Sequence, residues 1–177
     1  MNLFLIGYRG SGKSTVARLL GLRLARPWFD SDEEVEFGAG KSIAAIFADE
    51  GEAAFRDLES RAIGELAQRE QCVVALGGGA VMRPENRSAI RRAGKVVWLR
   101  ASAATLWQRI SADRTTSARR PALTSYAGID EITALLAERD PVYRQCAHLS
   151  IETEGKTPAQ LAEEIFERLK PDFAEQA

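Results

Sequence analysis

Short apolar runs alternate with longer amphipathic stretches along the chain. Residues 3–6 are continuously apolar and predict a buried strand, followed by a helix over 13–25. A short strand is expected at Trp28-Phe29-Asp30. Polar and helical segments then run over 32–69, with interruptions at Gly38-Ala39-Gly40 and at Gly51. Residues 73–76 read as a strand that ends on Gly77-Gly78-Gly79. A helix opening near Pro84 follows, then a strand over 95–99 and a helix over 103–110. Residues 111–126 are polar, basic and irregular. A helix over 130–146, with Asp130 as its cap, leads into a strand over 149–151 and a helix over 158–169. The tail after Pro171 is expected to fray.

Strands that alternate with helices predict a three-layer α/β fold, with a parallel sheet covered on both faces. No repeat, low-complexity tract or linker divides the chain, so residues 1–177 are expected to form one domain. Ligands of such a sheet bind beyond the carboxyl ends of its strands.

Composition narrows the functions open to this fold. The 177 residues are 45% apolar and 28% charged, with a net charge of −1. No whole-molecule field is expected to draw the protein to nucleic acid or to an anionic membrane. Cys72, Cys146 and the single His148 lack metal-ligand spacing; Cys72 reads as a core thiol and His148 as an edge or core residue. No apolar run reaches membrane-spanning length and no basic leader precedes residue 3, so a cytoplasmic location is expected.

The strongest chemical signal is Gly7-Tyr8-Arg9-Gly10-Ser11-Gly12-Lys13-Ser14, the full GxxxxGK[ST] pattern between a strand and a helix. Its glycines let successive N–H groups turn towards phosphate oxygens, and the helix N-terminus adds a positive dipole end. Lys13 suits the β- and γ-phosphates of a nucleoside triphosphate, and Ser14 suits Mg²⁺. The loop alone does not say where the γ-phosphate goes.

Asp30-Ser31-Asp32 ends the second strand. Along an extended chain, alternation would point both carboxylates the same way, one towards Mg²⁺ and one towards a hydroxyl proton. Capping by Ser31 or Asp32 of a helix over 33–37 is an equally good reading, and both can hold together. Many P-loop enzymes end the third strand on an aspartate. Here three glycines stand in that place, which leaves Asp30 as the metal-side candidate and lets a ligand approach the backbone. Arg56 and Arg139 suit bidentate capture of a carboxylate, although each sits on a helix where an arginine is ordinarily solvated. Arg109, Arg114, Arg119 and Arg120 make the 109–126 stretch basic, as a lid closing on a transferring phosphoryl group would be. Aromatic residues for base stacking are nearly absent there, which disfavours nucleic acid.

Taken together, these motifs resemble the shikimate kinase family. The resemblance runs from Leu3 to Leu169. It is carried by the phosphate loop with Thr15, Phe29-Asp30-Ser31-Asp32, Lys41-Ser42-Ile43 and Phe55-Arg56 with Glu59. Leu76-Gly77-Gly78-Gly79-Ala80-Val81, Arg120-Pro121 and Arg139-Asp140-Pro141-Val142-Tyr143 complete it. It implies a five-stranded parallel sheet of the P-loop kinase fold, a helical substrate-binding segment over about 31–60 and a lid over about 111–126. The implied reaction is ATP-dependent phosphorylation of shikimate with Mg²⁺, by a monomer with no nucleic-acid or membrane partner. By resemblance, Asp32 binds and activates the acceptor hydroxyl, while Arg56, Arg139 and Gly77, Gly78 and Gly79 hold the rest of the acceptor. Gly10, Ser11, Gly12, Lys13, Ser14, Thr15, Arg120 and Lys156 contact the nucleotide, and Ser14 and Asp30 serve the metal. Lys156 replaces the arginine often found near the adenine, and the stretch from Arg109 to Arg120 is longer than the usual lid. A gluconate or nucleotide kinase and a non-catalytic nucleotide-binding module are the alternative readings.

Overall fold

The computed structural model describes residues 1–112 and 128–174. In chain order the elements are β1 (Asn2–Ile6), α1 (Lys13–Leu24), β2 (Trp28–Asp30), α2 (Ser31–Ala39), α3 (Ile43–Gln68) and β3 (Val73–Ala75). A 3₁₀ turn (Ala80–Met82) leads to α4 (Pro84–Ala93), β4 (Gly94–Arg100), α5 (Ala103–Ala112), α6 (Ile129–Cys146), β5 (Leu149–Glu152) and α7 (Pro158–Ala174).

The five strands form one parallel sheet in the order β2-β3-β1-β4-β5. β1 is central, with Phe4 opposite both Val74 of β3 and Val96 of β4. Period-two alternation sorts its side chains between two cores. Leu3 and Leu5 pack with Val16, Leu20, Leu161 and Ile165, the faces of α1 and α7. Phe4 and Ile6 pack on the other side with Ile63, Leu66, Ile90 and Tyr143, from α3, α4 and α6. Burial on both faces explains why the strands read as continuous apolar runs. Each fully buried large side chain contributes about 1.5–3 kcal/mol.

A third cluster is local to the segment that follows β2. Val35, Ile43, Ile46, Phe55 and Ala62 bury one another between α2 and α3. At Gly51 the dihedrals (φ 81°, ψ 179°) leave helical values and bend α3, where the sequence places an interruption.

Three local expectations need correction. α6 begins at Ile129 behind Gly128, which offers no side-chain cap, and Asp130 lies inside the first turn beside Glu131. Both acids there face the positive end of the helix dipole. α7 does not stop at Pro171 but continues to Ala174. An ion pair of 2.6 Å between Asp172 and Lys95 of β4 ties this last turn to the sheet. The third difference, at Asp30, belongs to the site.

Among the described residues no helix is long and apolar enough to cross a membrane. Cys72 and Cys146 are buried. His148 accepts the Val96 N–H on Nδ1 at 3.0 Å, as an edge histidine does.

Candidate active site

The phosphate loop leaves β1 at its carboxyl end and re-enters as α1. Gly10 (φ 80°) and Gly12 (φ 93°) adopt the left-handed backbone that only glycine takes without strain. α1 has no side-chain cap, so its first N–H groups are not claimed by a capping residue. Lys13 is buried, and its Nζ donates to the carbonyls of Gly7 and Tyr8, each at 2.9 Å. The ammonium is thereby held over the loop. A β-carbon on Gly10 would lie 2.9 Å from Ile110, so α5 supports the loop from behind.

Asp30 ends β2, the neighbour of β3, and engages both of its carboxylate oxygens. Its Oδ1 accepts the Asp32 N–H at 3.0 Å and caps α2, and its Oδ2 accepts the Ser14 hydroxyl at 2.5 Å. The cap is therefore Asp30, not Ser31 or Asp32. The chain is already helical at Ser31, so alternation along an extended strand does not orient Asp32. Asp32 stands in the first turn of α2, and its Oδ1 is closed to solvent. Ser31, fully buried, accepts the Gly77 N–H at 2.9 Å.

The three glycines after β3 are each engaged by a different helix. Gly77 is held by Ser31 at the start of α2. The Gly78 carbonyl accepts the hydroxyl of Tyr143, from α6, at 2.5 Å. Gly79 lies under Arg56 of α3, and a β-carbon there would sit 2.7 Å from Arg56 Nη1. Arg139 Nη1 lies 3.8 Å from the place a Gly78 β-carbon would take. Two arginines from helices far apart in sequence thus converge on one glycine run, and the Gly78 position abuts the phosphate loop at Arg9 N (3.4 Å).

The two guanidiniums differ in surroundings. Arg56 is braced by Glu59 at 2.8 Å and Glu52 at 3.1 Å. Burial opposes its charge, and the two carboxylates outweigh burial, so its pKa lies above the ordinary arginine value. Arg139 is only 7% exposed. Its Nε is buried without a hydrogen-bond acceptor, a donor suited to an anionic ligand.

Three contributing residues escaped the sequence reading. Tyr143 entered it only as part of a motif. Arg9 bears on the buried Tyr8, whose pKa burial raises against the opposing charges of Arg9 and Arg139. Arg109 was grouped with the basic stretch that follows it. Its Nη1 donates to Thr153 Oγ1 (3.0 Å) and to the Gly10 carbonyl (3.5 Å), and its Nη2 donates to the Thr153 carbonyl (3.1 Å). It straps the phosphate loop to the turn between β5 and α7. Lys156, in that same turn, is ion-paired to Glu164 at 2.6 Å. Arg114, Arg119 and Arg120 lie outside the described residues. A cavity of about 280 Å³ beside the loop, lined by Tyr8, Ser11, Leu106, Asp140 and Glu152, includes neither Arg56 nor Arg139 nor the glycine run.

A loop of backbone donors, a lysine over it, a hydroxyl–carboxylate pair beside it and a parallel sheet with order 2-3-1-4-5 define a P-loop phosphotransferase. Comparison with known proteins shows which group of these it joins. The family model described as Shikimate kinase matches residues 9–170, and the chain belongs to that family. The shikimate kinase of Rhodopirellula baltica is 44% identical over 165 residues, 93% of this chain and 88% of that protein. The shikimate kinase of Burkholderia pseudomallei is 48% identical over 153 residues, 86% and 81% of the two chains. The structure of the Acinetobacter baumannii shikimate kinase in complex with shikimate superposes with a TM-score of 0.90 at 37% identity, covering 97% of this chain and 93% of that one.

Proposed function

We propose that this enzyme transfers the γ-phosphoryl group of ATP to the 3-hydroxyl of shikimate, a step of aromatic amino-acid biosynthesis through chorismate. The observation that carries the reading is the meeting of Arg56 and Arg139 on the glycine run beside the phosphate loop. An acceptor with a carboxylate and ring hydroxyls meets guanidiniums, backbone and a carboxylate in one crevice.

In this reading residues 31–60 form the acceptor side, where Arg56 and Arg139 bind the carboxylate and the glycines line the ring. Asp32 orients the attacking hydroxyl and accepts its proton. Gly10, Ser11, Gly12, Lys13 and Thr15 bind the nucleotide, with Lys156 near the adenine. Arg120 of the lid stabilises the transferring group. Such transfer passes through a loose transition state, so positioning and charge stabilisation do most of the catalysis. The Ser14 hydroxyl and the Asp30 carboxylate are hard oxygen donors 2.5 Å apart, a set that fits Mg²⁺. Bound there, the ion would neutralise charge on the β- and γ-phosphates. The proposed working unit is a monomer, and the proposed setting is the cytoplasm.

The test is ADP release with Mg·ATP in the presence of shikimate, gluconate or AMP. Stimulation by shikimate alone is expected. Stimulation by gluconate or AMP instead would move the chain to a different acceptor, and ATP binding without any turnover would make it a non-catalytic module.

A further inference from the structure

The Tyr143 side chain stands at a junction that acceptor binding would load. It is fully buried, and its ring packs against Trp98 at 5.6 Å between centroids. It lies four residues after Arg139 on α6, so the two share one helix face. Its hydroxyl has one proton, which it gives to the Gly78 carbonyl at 2.5 Å. Its lone pairs remain open to the Arg139 guanidinium, whose Nη1 stands 3.8 Å from the place a Gly78 β-carbon would take and whose charge acts on the same oxygen. Burial drives the phenol pKa up against that influence, so the group stays a donor at any working pH.

We propose that Tyr143 is a positioning residue for the acceptor: one hydroxyl sets the place of Arg139 relative to Gly78. The inference rests on the functional reading above. Gly77 is held by Ser31 from α2, and Gly79 touches Arg56 from α3. An arginine on a long side chain loses considerable rotamer freedom on binding a carboxylate. A partner that holds the guanidinium beforehand lowers that cost and strengthens binding.

Tyr143→Phe keeps the ring and its packing and removes only the bridge. Shikimate KM is expected to rise about tenfold, the effect of one lost hydrogen bond to a charged group, with ATP KM nearly unchanged. A general weakening of the fold would not make this effect depend on Arg139. The deciding measurement is therefore a double-mutant cycle with Arg139→Gln. In the Arg139→Gln background, Tyr143→Phe should change shikimate KM by less than about twofold. Ser31→Ala, which frees Gly77 instead, should multiply with Arg139→Gln. If the Tyr143→Phe and Arg139→Gln effects multiply as well, the proposal is overturned. The same cycle can be read without any acceptor, from the Gly79 amide resonance, whose peptide group contains the Gly78 carbonyl. Arg139→Gln should shift it in the parent protein and not in Tyr143→Phe; equal shifts in both would overturn the bridge. Absence of shikimate turnover in the unmutated enzyme would count against the acceptor reading instead, and the resonance would still decide the bridge.

Discussion

At the scale of single residues, the site contains atoms whose geometry makes sense only together with a neighbour. Gly79 is the clearest. Its backbone (φ −98°, ψ −4°) suits any residue, so nothing about its own conformation demands glycine. What demands it is Arg56, whose Nη1, Nη2 and Cζ would all lie within 3.0 Å of a β-carbon. Gly79→Ala should therefore leave the fold close to its parent stability and push the Arg56 guanidinium aside. The expected outcome is a severalfold to tenfold rise in shikimate KM with a melting temperature within a few degrees of the parent. A large fall in melting temperature would locate the need for glycine in the backbone instead. Asp32 makes the complementary case. Asp32→Asn keeps size and removes basicity, so kcat should fall by about 100-fold or more while ATP KM changes little. Turnover within a fewfold of the parent, measured by ADP release, would remove Asp32 from the role of base.

Elements show what the sequence could and could not disclose. Strands β1, β3 and β4 were legible because burial on both faces leaves an apolar run that no exposed element would tolerate. The phosphate loop was legible because its chemistry is local: the strand, the turn and the helix are consecutive. Asp30 was half legible. The pattern marked it as a metal-side acid, but capping by Asp30 rather than Ser31 depends on where β2 stops, and a three-residue strand gives little periodicity to read. Convergence of Arg56 and Arg139 was not legible from spacing, and only the resemblance implied it, because it arises from α3 and α6 crossing the end of β3. The end of β5 carries a prediction of its own. His148 holds the Val96 N–H through Nδ1, and burial, with Arg91 and Lys95 nearby, lowers its pKa against the weaker pull of Asp172. A base with a lowered folded pKa binds fewer protons than in the unfolded chain near and below the unfolded value of 6.5. Its contribution is whole above that pH and is lost as pH falls towards the folded pKa. Melting temperature should thus drop between about pH 7.5 and pH 5.5, and less steeply in His148→Gln. Equal slopes in the two proteins would show that other groups govern the acid limb.

Across the whole molecule, the crevice is assembled from two sides with separate supports. The acceptor side hangs on α2, α3 and α6 through Ser31, Arg56 and Tyr143, over a core that includes the local α2–α3 cluster. The nucleotide side hangs on the phosphate loop, α5 and the turn before α7 through Arg109, Thr153 and Gly10. The two sides meet at the carboxyl end of β1, the switch point of the sheet, where β3 and β4 lie on opposite flanks. Separate supports imply separable defects. Arg109→Gln removes the strap between the loop and the β5–α7 turn, and the Thr153 hydroxyl that accepts from it is buried, so the loss is not fully repaired by water. ATP KM should rise about tenfold with shikimate KM within about twofold, the reverse of the pattern expected for Gly79→Ala. Combined, the two substitutions should multiply in kcat/KM, because Arg109, held to Gly10 and Thr153, and Gly79, held under Arg56, share no partner. A rise in both Michaelis constants on either substitution alone would mean that the two halves of the crevice close as one body, with the loop transmitting strain between them.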